Sequence, residues 1–160
     1  MSDQRVKIDG IDAEILRLLQ RDGSLSQRDV AERVGLSQNA CGRRIARLTR
    51  DGVIEGARMR LSSEAIGLDL TVFMLVRTRD HSSAFAARLR RQIESIPEVA
   101  EFHRIGGEWD YLLKIVTTSM AGYDRVYRQM IERLELETVT GLFSMETIFD
   151  GRPLVVKPGG

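Results

Sequence analysis

The sequence of 160 residues is poor in cysteine, histidine and long apolar runs, and each shortage removes a class of protein. A single cysteine, Cys41, excludes an internal disulfide framework and a zinc site built from several cysteines. No run of 18 apolar residues exists, which excludes a transmembrane helix. The first ten residues, MSDQRVKIDG, lack the apolar stretch of a secretory signal. These absences predict a cytoplasmic protein without a membrane partner.

Residues suited to catalysis or cofactor binding are also scarce. The two histidines, His81 and His103, are not close in sequence to the cysteine or to a recognisable nucleophile motif. The glycine patterns that bind nucleoside phosphates or dinucleotides are missing. We therefore expect no catalytic activity, no metal and no cofactor. The enzymatic alternative, a metabolic enzyme acting on a small ligand, has only Asp110 and neighbouring Glu108 as candidate titratable groups.

What is present fits a folded chain with a core, because 42% of the residues are apolar and 29% are charged. The length suits one ordinary domain or two small ones. Residues 1–60 carry 12 basic and 9 acidic side chains, whereas residues 61–160 carry 12 basic and 14 acidic ones. Between Arg33 and Arg50 there are five arginines and no acid. Such a stretch is either an ordinary solvated helix face or a nucleic-acid contact.

Residues 1–60 predict three short helices followed by a small hairpin, the wing. Asp9, Ser26 and Ser37 are placed to cap the three helices, and Gly35 breaks the chain between the second and the third. On the third helix, the spacing of Cys41, Ile45 and Leu48 turns these three residues inward. Two short strands are predicted around Glu55-Gly56.

Residues 61–160 predict the order β-α-β-β-α-β, the ferredoxin-like arrangement of one antiparallel sheet with both helices on one face. The predicted strands are Leu70–Thr78, Val99–Ile105, Trp109–Val116 and Val139–Phe149. In the first strand, Leu70, Val72, Met74 and Val76 point one way and Phe73 and Leu75 point the other, and a single layer of helices leaves one of these two apolar faces uncovered. That apolar face needs a partner, and a second copy of the chain is the simplest one, although the linker or the C-terminal tail is an alternative. The fold class is therefore α+β, with domains 1–60 and 61–160.

The arrangement of the first three helices matches a helix–turn–helix whose third helix enters the major groove of DNA. Gln38, Asn39 and Arg43 face outward and suit base edges, while Gly42 would let the backbone approach DNA closely. Arginine side chains further along the helix, together with the amides near Ser26, suit phosphate groups. The alternative is a purely structural helical domain. The predicted DNA-binding residues are Ser26, Ser37, Gln38, Asn39, Arg43, Arg44, Arg47 and Arg50.

The loop Gly106-Gly107-Glu108-Trp109-Asp110-Tyr111 has the chemistry of an amino-acid site. Glycine-rich backbone can present N–H groups to an α-carboxylate, and an acidic side chain can hold the α-ammonium group. The alternative is a hairpin turn in which Asp110 only caps backbone amides.

Five segments together resemble the Lrp/AsnC family of bacterial and archaeal transcription regulators. They are IDGIDAEILRLLQRDG, VGLSQNACGRRIARLTRDGVIEG, HSSAFAARL, IPEVAEFHRIGGEWDYLLKI and LFSMETI, and the resemblance spans about residues 8–150. It implies a winged helix–turn–helix, a ferredoxin-like effector domain, and homodimers that often assemble into octamers. It also implies that Asp110 is the effector-loop aspartate and that an amino-acid site between dimers is lined by Gly106, Gly107, Asp110, Leu142, Phe143 and Ser144.

The function predicted from these residues and this resemblance is a sequence-specific, DNA-binding transcription regulator controlled by a small effector, which we expect to be an amino acid. Besides the enzyme, one further alternative stays open, a nucleoid-organising protein with little sequence preference. Retention of an operator complex in excess random DNA would separate that alternative from a specific regulator.

Overall fold

The computed structural model describes residues 6–159, which form two compact units. One unit is residues 61–148, and the other combines residues 6–60 with a C-terminal tail, residues 149–159. The sequence analysis places that tail with the second domain, whereas in the structure it contacts the first unit. Gln20 exchanges two hydrogen bonds with the backbone of Leu154, and the N–H of Gly159 donates to the carbonyl of Ile8. These bonds hold the tail on the first unit.

The first unit has three helices, and each begins at a residue whose side chain caps it. Asp9 and Ser26 each form a capping box with the acid three residues later, and the Ser37 hydroxyl accepts a hydrogen bond from the N–H of Ala40. The three predicted helix starts are confirmed. The helices are α1 (Gly10–Arg21), α2 (Gln27–Arg33) and α3 (Gln38–Arg50).

A small core joins the three helices. Gly35 adopts a φ of 69° in the turn between α2 and α3, a conformation that favours glycine. Cys41 and Leu48 are fully buried, as their spacing predicts. The buried residues of this cluster are Ile15, Val30, Ala31 and Cys41.

The predicted wing strands are not formed. The N–H groups of Val53 and Ile54 both donate to the carbonyl of Leu48, which ties them to the end of α3. Residues 55–61 are exposed, and no strand is present between α3 and Leu70 in the part of the chain that the structure describes. The two strands of a hairpin exchange backbone hydrogen bonds, and within residues 6–159 no such bond joins residues 55–61 to each other or to another segment.

The second unit confirms the predicted ferredoxin-like order of strands and helices. Its four strands form one antiparallel sheet in the order β2-β3-β1-β4. The elements are β1 (Leu70–Arg77), α4 (Ser83–Glu94), β2 (Val99–Arg104), β3 (Tyr111–Thr117), α5 (Met120–Arg133) and β4 (Thr138–Phe143).

Both helices of the second unit cover the same face of the sheet. Alternate residues of β1 are fully buried in a core that they share with α4 and α5, whereas Phe73 and Leu75 are only partly buried on the opposite face. The uncovered apolar face that the sequence predicts is therefore present in the single subunit. The buried β1 residues are Val72, Met74 and Val76, and their partners include Phe85, Leu89, Val126 and Met130.

The last strand is shorter than predicted, because it ends at Phe143 and not at Phe149. Phe143 pairs with Val72, and the N–H of Ser144 donates to the carbonyl of Thr71. Since β1 begins at Leu70, the residues after Ser144 have no further β1 residues to pair with. Among the residues described, no helix combines the length and apolar character needed to cross a membrane.

Candidate functional site

The N-terminal half of α3 presents polar side chains to solvent. Gln38, Asn39 and Arg43 are exposed, and Arg50 is exposed at the other end of the helix. The amide group of Gln27 on α2 donates a hydrogen bond of 2.8 Å to the carbonyl of Gln38. This bond helps to hold the start of α3 against α2 while leaving the Gln38 side chain free.

Gly42 makes room for α2, a role that the sequence did not suggest. A Cβ atom at this position would lie 2.8 Å from Cδ of Gln27, which is closer than such atoms can approach. Gly42 therefore lets the Gln27 side chain reach the backbone of α3. A close approach of DNA to the backbone at Gly42 stays a prediction.

Arg44 and Arg47 contact carboxylates of the protein, whereas the sequence suggested phosphate groups as their partners. Nη1 of Arg44 lies 2.6 Å from Oδ2 of Asp9 and 2.8 Å from Oδ1 of Asp12. Arg47 binds the other carboxylate oxygen of Asp12 and also donates to the carbonyl of Lys7 at 3.3 Å. The two arginines thus join α3 to the start of α1.

The carboxyl group of Asp12 is only 1% exposed, yet its surroundings favour the charged form. Burial raises the pKa of Asp12, but hydrogen bonds from Arg47, from the N–H of Asp9 and from Arg44 outweigh burial, so the pKa is lowered. The Arg44 pKa is raised by its hydrogen bonds to Asp9 and Asp12. These groups are therefore fully charged at neutral pH.

The hydroxyl groups of Ser26 and Ser37 cap helices. The Ser26 hydroxyl lies 2.6 Å from Oδ2 of Asp29 and accepts from the N–H of that residue, and the Ser37 hydroxyl accepts from the N–H of Ala40. Their contacts with DNA stay predictions. What the capping does is fix where α2 and α3 begin.

The loop before β3 fastens two strands to each other. The N–H of Thr78 donates a hydrogen bond of 2.8 Å to Oδ2 of Asp110, and the N–H of Asp110 donates to the carbonyl of Val76. The other carboxylate oxygen of Asp110 lies 3.7 Å from Nδ1 of His81. Asp110 therefore caps a backbone amide and still keeps one oxygen available.

The glycines of the same loop leave backbone donors unused. Gly107 adopts a φ of 120°, and no hydrogen bond within residues 6–159 engages the N–H of Gly106 or Gly107. The same loop thus carries two backbone N–H groups and the second carboxylate oxygen of Asp110.

Leu142, Phe143 and Ser144 lie at the opposite end of the sheet from this loop. The loop adjoins Val76, whereas Phe143 pairs with Val72, so about 13 Å of strand separates the two regions. Phe143 also lies on the helix-covered face, where its ring meets Tyr123 edge-on at 5.4 Å between centroids. One subunit therefore does not bring the two predicted halves of the effector site together.

The sequence did not point to the charged groups around the loop. The Arg77 guanidinium lies 5.7 Å from the ring centre of Trp109, and its Nε is 3.3 Å from Oε2 of Glu137. The pairing of β1 with β4 places Glu137 beside Arg77, and the pairing of β1 with β3 places Trp109 there, so only the strand register could have revealed them. Within residues 6–159, no cluster of three or more His, Cys, Asp or Glu side chains is arranged to hold a metal ion.

Comparisons with known proteins agree with this two-part architecture. The family model described as Lrp/AsnC ligand binding domain matches residues 71–154, and that described as winged helix-turn-helix DNA-binding matches residues 8–55. The glutamate uptake regulatory protein of Zymomonas mobilis subsp. mobilis is 41% identical over 142 residues, which are 89% of this chain and 87% of the relative.

Solved structures give the same result. The crystal structure of an AsnC family transcriptional regulator from Agrobacterium tumefaciens has a TM-score of 0.87 at 39% identity, covering 92% of this chain and 96% of that one. A transcriptional regulator from Neisseria meningitidis, solved in complex with L-Met, has a TM-score of 0.86 at 28% identity with the same coverages. The chain belongs to the Lrp/AsnC family of DNA-binding transcription regulators.

Proposed function

We propose that this regulator acts in the cytoplasm by placing α3 in the major groove of operator DNA. The observation that carries this proposal is the exposure of Gln38, Asn39 and Arg43 on the N-terminal half of α3. Asparagine and glutamine can pair with adenine, and arginine with guanine, in bidentate fashion. Arg50, exposed at the end of the helix, is suited to a phosphate group.

The proposed effector is a free amino acid bound at the loop that contains Gly106, Gly107 and Asp110. The two glycine N–H groups suit an α-carboxylate, and the available oxygen of Asp110 suits an α-ammonium group. The L-Met complex of the Neisseria meningitidis relative supports this class of effector.

The proposed effector site is completed by a second copy of the chain. Leu142, Phe143 and Ser144 are at the far end of the same sheet, so a site that uses both regions needs two subunits. The uncovered sheet face supports a homodimer, since Phe73, Leu75 and Leu142 would otherwise leave apolar surface in water. Dimers joined through such sites would form larger rings, of which an octamer is one.

Competition binding tests the DNA part of this proposal. The probe is a duplex that the wild-type chain selects from a random library, and the competitor is excess random DNA. A specific regulator keeps its complex, whereas a nucleoid-organising protein loses it. Asn39→Ala and Arg43→Ala should each reduce discrimination by about 1–3 kcal/mol, and Arg50→Ala should weaken all DNA nearly equally. An unchanged footprint in the Asn39 and Arg43 variants would contradict the placement of α3.

Calorimetric titration with a panel of amino acids tests the effector part. We expect saturable binding of one or a few of them and a change in operator affinity when they bind, because an effector acts only through differential affinity for two states. Absence of binding across the panel would count against an amino-acid effector. Chemical conversion of the ligand during the titration would favour the metabolic enzyme.

A further inference from the structure

Asp12 is a buried carboxylate whose two oxygens are both used. Oδ1 accepts a hydrogen bond of 2.8 Å from Arg44, and Oδ2 accepts hydrogen bonds from Arg47 and from the N–H of Asp9. The side chain of Asp12 is 1% exposed, whereas those of the two arginines are 29% and 32% exposed. The charges therefore meet at the inner edge of α3 and not on its outer surface.

This cluster connects two segments that are distant in sequence. Arg44 and Arg47 are 32 and 35 residues from Asp12, and they are three residues apart on α3, so they share a face of that helix. Arg43 is one residue before Arg44, a step of about 100° around the helix, and therefore points elsewhere. The face that binds α1 and the exposed face of α3 are thus set at a fixed angle.

We propose that Asp12 is a positioning residue for operator recognition, which acts through Arg44 and Arg47 to fix the rotation of α3 about its axis. The proposal rests on the proposed function, in which α3 reads base edges. It assigns Arg44 and Arg47 to an internal clamp and removes them from the phosphate contacts. Asp12 itself does not touch DNA.

The burial of Asp12 is the reason that the clamp persists in the DNA complex. If either arginine moved out to a phosphate group, the buried negative charge of Asp12 would lose one of its two cationic partners. Removing a partner from a buried charge is strongly destabilising. Bidentate pairing with a base tolerates errors of only about 0.5 Å or 10–20° in the position of the side chain. Contacts with phosphate groups tolerate larger errors in the position of the side chain. Loosening the clamp should therefore reduce discrimination between sequences more than it reduces total affinity.

The first experiment compares wild type with Asp12→Asn. The probes are the duplex selected by the wild-type chain and a scrambled duplex of the same length and composition. Below the melting temperature of both proteins, Asp12→Asn should lose about tenfold in discrimination, the size of one lost base contact, with little change in affinity for the scrambled duplex. The control is Asp124→Asn, which removes the helical ion pair with Arg128 in the other unit and should discriminate like wild type.

The second experiment measures the salt dependence of binding. A phosphate contact contributes about 0.9 to the slope of log affinity against log salt concentration. Arg44→Gln and Arg47→Gln should keep the wild-type slope and lose discrimination, whereas Arg50→Gln should lower the slope. The proposal would be overturned by a slope reduction in the Arg44 and Arg47 variants equal to that of Arg50→Gln.

Misfolding of one variant would not end the test. If circular dichroism shows that Asp12→Asn does not fold, Arg44→Gln and Arg47→Gln still report sequence discrimination and salt dependence.

A double-mutant cycle tests whether the residues act through the same contact. Where Asp12→Asn folds, its combination with Arg47→Gln should lose less discrimination than the product of the two single fold-losses, since both substitutions break the same contact. Fold-losses that multiply fully would contradict the clamp.

The failure of this proposal can be told apart from the failure of the proposed function. If the wild-type chain selects no duplex from the library and shows no sequence preference, the proposed function is overturned. The role of the clamp in recognition is then overturned as well. If wild type discriminates and Asp12→Asn discriminates equally well, only the positioning role of Asp12 is overturned.

Discussion

The N–H of Thr78 donates a hydrogen bond of 2.8 Å to Oδ2 of Asp110, which links the end of β1 to the residue before β3. Thr78 is buried, so its N–H has no access to water as a substitute acceptor. The aspartate predicted to hold an effector therefore also has a structural task. Two substitutions at this position separate the two tasks.

Asp110→Asn should preserve the fold and abolish the effector response. The asparagine carbonyl can accept the bond from Thr78, but it lacks the charge that holds an α-ammonium group. We expect normal operator binding and loss of calorimetric binding of the wild-type amino acid. Undiminished affinity for that amino acid would reduce Asp110 to a turn residue.

Asp110→Ala should be the less stable variant of the two. Without an acceptor, the buried N–H of Thr78 is left unpaired, at a cost of about 1–3 kcal/mol. Urea denaturation of both variants gives the difference in the free energy of unfolding. Equal stability would show that water reaches Thr78.

Gly141→Ala should destabilise the second unit. A Cβ atom there would overlap the Tyr123 hydroxyl and lie 3.0 Å from Cζ of the same ring. Because the ring is rigid and Val72 lies on the other side, we expect a loss of about 1–3 kcal/mol from overpacking. Tyr123→Phe in the same chain removes the closest atom and should restore part of the loss. No restoration in chemical denaturation would place the strain elsewhere.

Stability should fall in acid partly through Asp12. Its pKa is lowered in the folded chain, so its contribution is complete above the unfolded value of about 3.9 and is lost as the pH falls through the folded value. The Asp12→Asn chain should be less stable at pH 7 and should lose less stability between about pH 5 and pH 2. Denaturation curves at a series of pH values test this, and parallel curves for the two proteins would contradict it.

Phe73→Asp should weaken self-association. Phe73 lies on the uncovered sheet face, and a charge there cannot be buried against a second subunit without a large penalty. Sedimentation equilibrium should show a shift toward monomer, while Ile131→Asp on the exposed side of α5 serves as the control. A Phe73→Asp chain that associates like wild type would locate the interface on another surface.

Local signals predicted much of the fold. Asp9, Ser26 and Ser37 each accept from the N–H group three residues later, so their capping roles could be identified from spacing alone. The alternation along β1 likewise separated the residues of its two faces, although it did not show which of these apolar faces the helices cover. Contacts between residues that are close in sequence can therefore be predicted from local spacing.

The remaining features depend on distant partners. Arg44 and Arg47 look like free basic residues until Asp12, more than 30 residues away, is placed beside them. The wing segment has residues suited to strands, but among residues 6–159 it forms no backbone hydrogen bonds that would pair two strands. The separation of Phe143 from Asp110 follows from strand register, which spacing does not reveal. Tertiary pairing decided each of these outcomes.

The return of residues 149–159 to the first unit makes residues 61–148 an insertion that is tethered at both ends. Both ends of this insertion are joined to the same unit, so the chain between Arg60 and Phe149 closes a loop on that unit. Proteolytic cleavage after Arg60 would break one of the two connections to the first unit and leave the other, where Leu154 is hydrogen-bonded to Gln20 and Gly159 to Ile8.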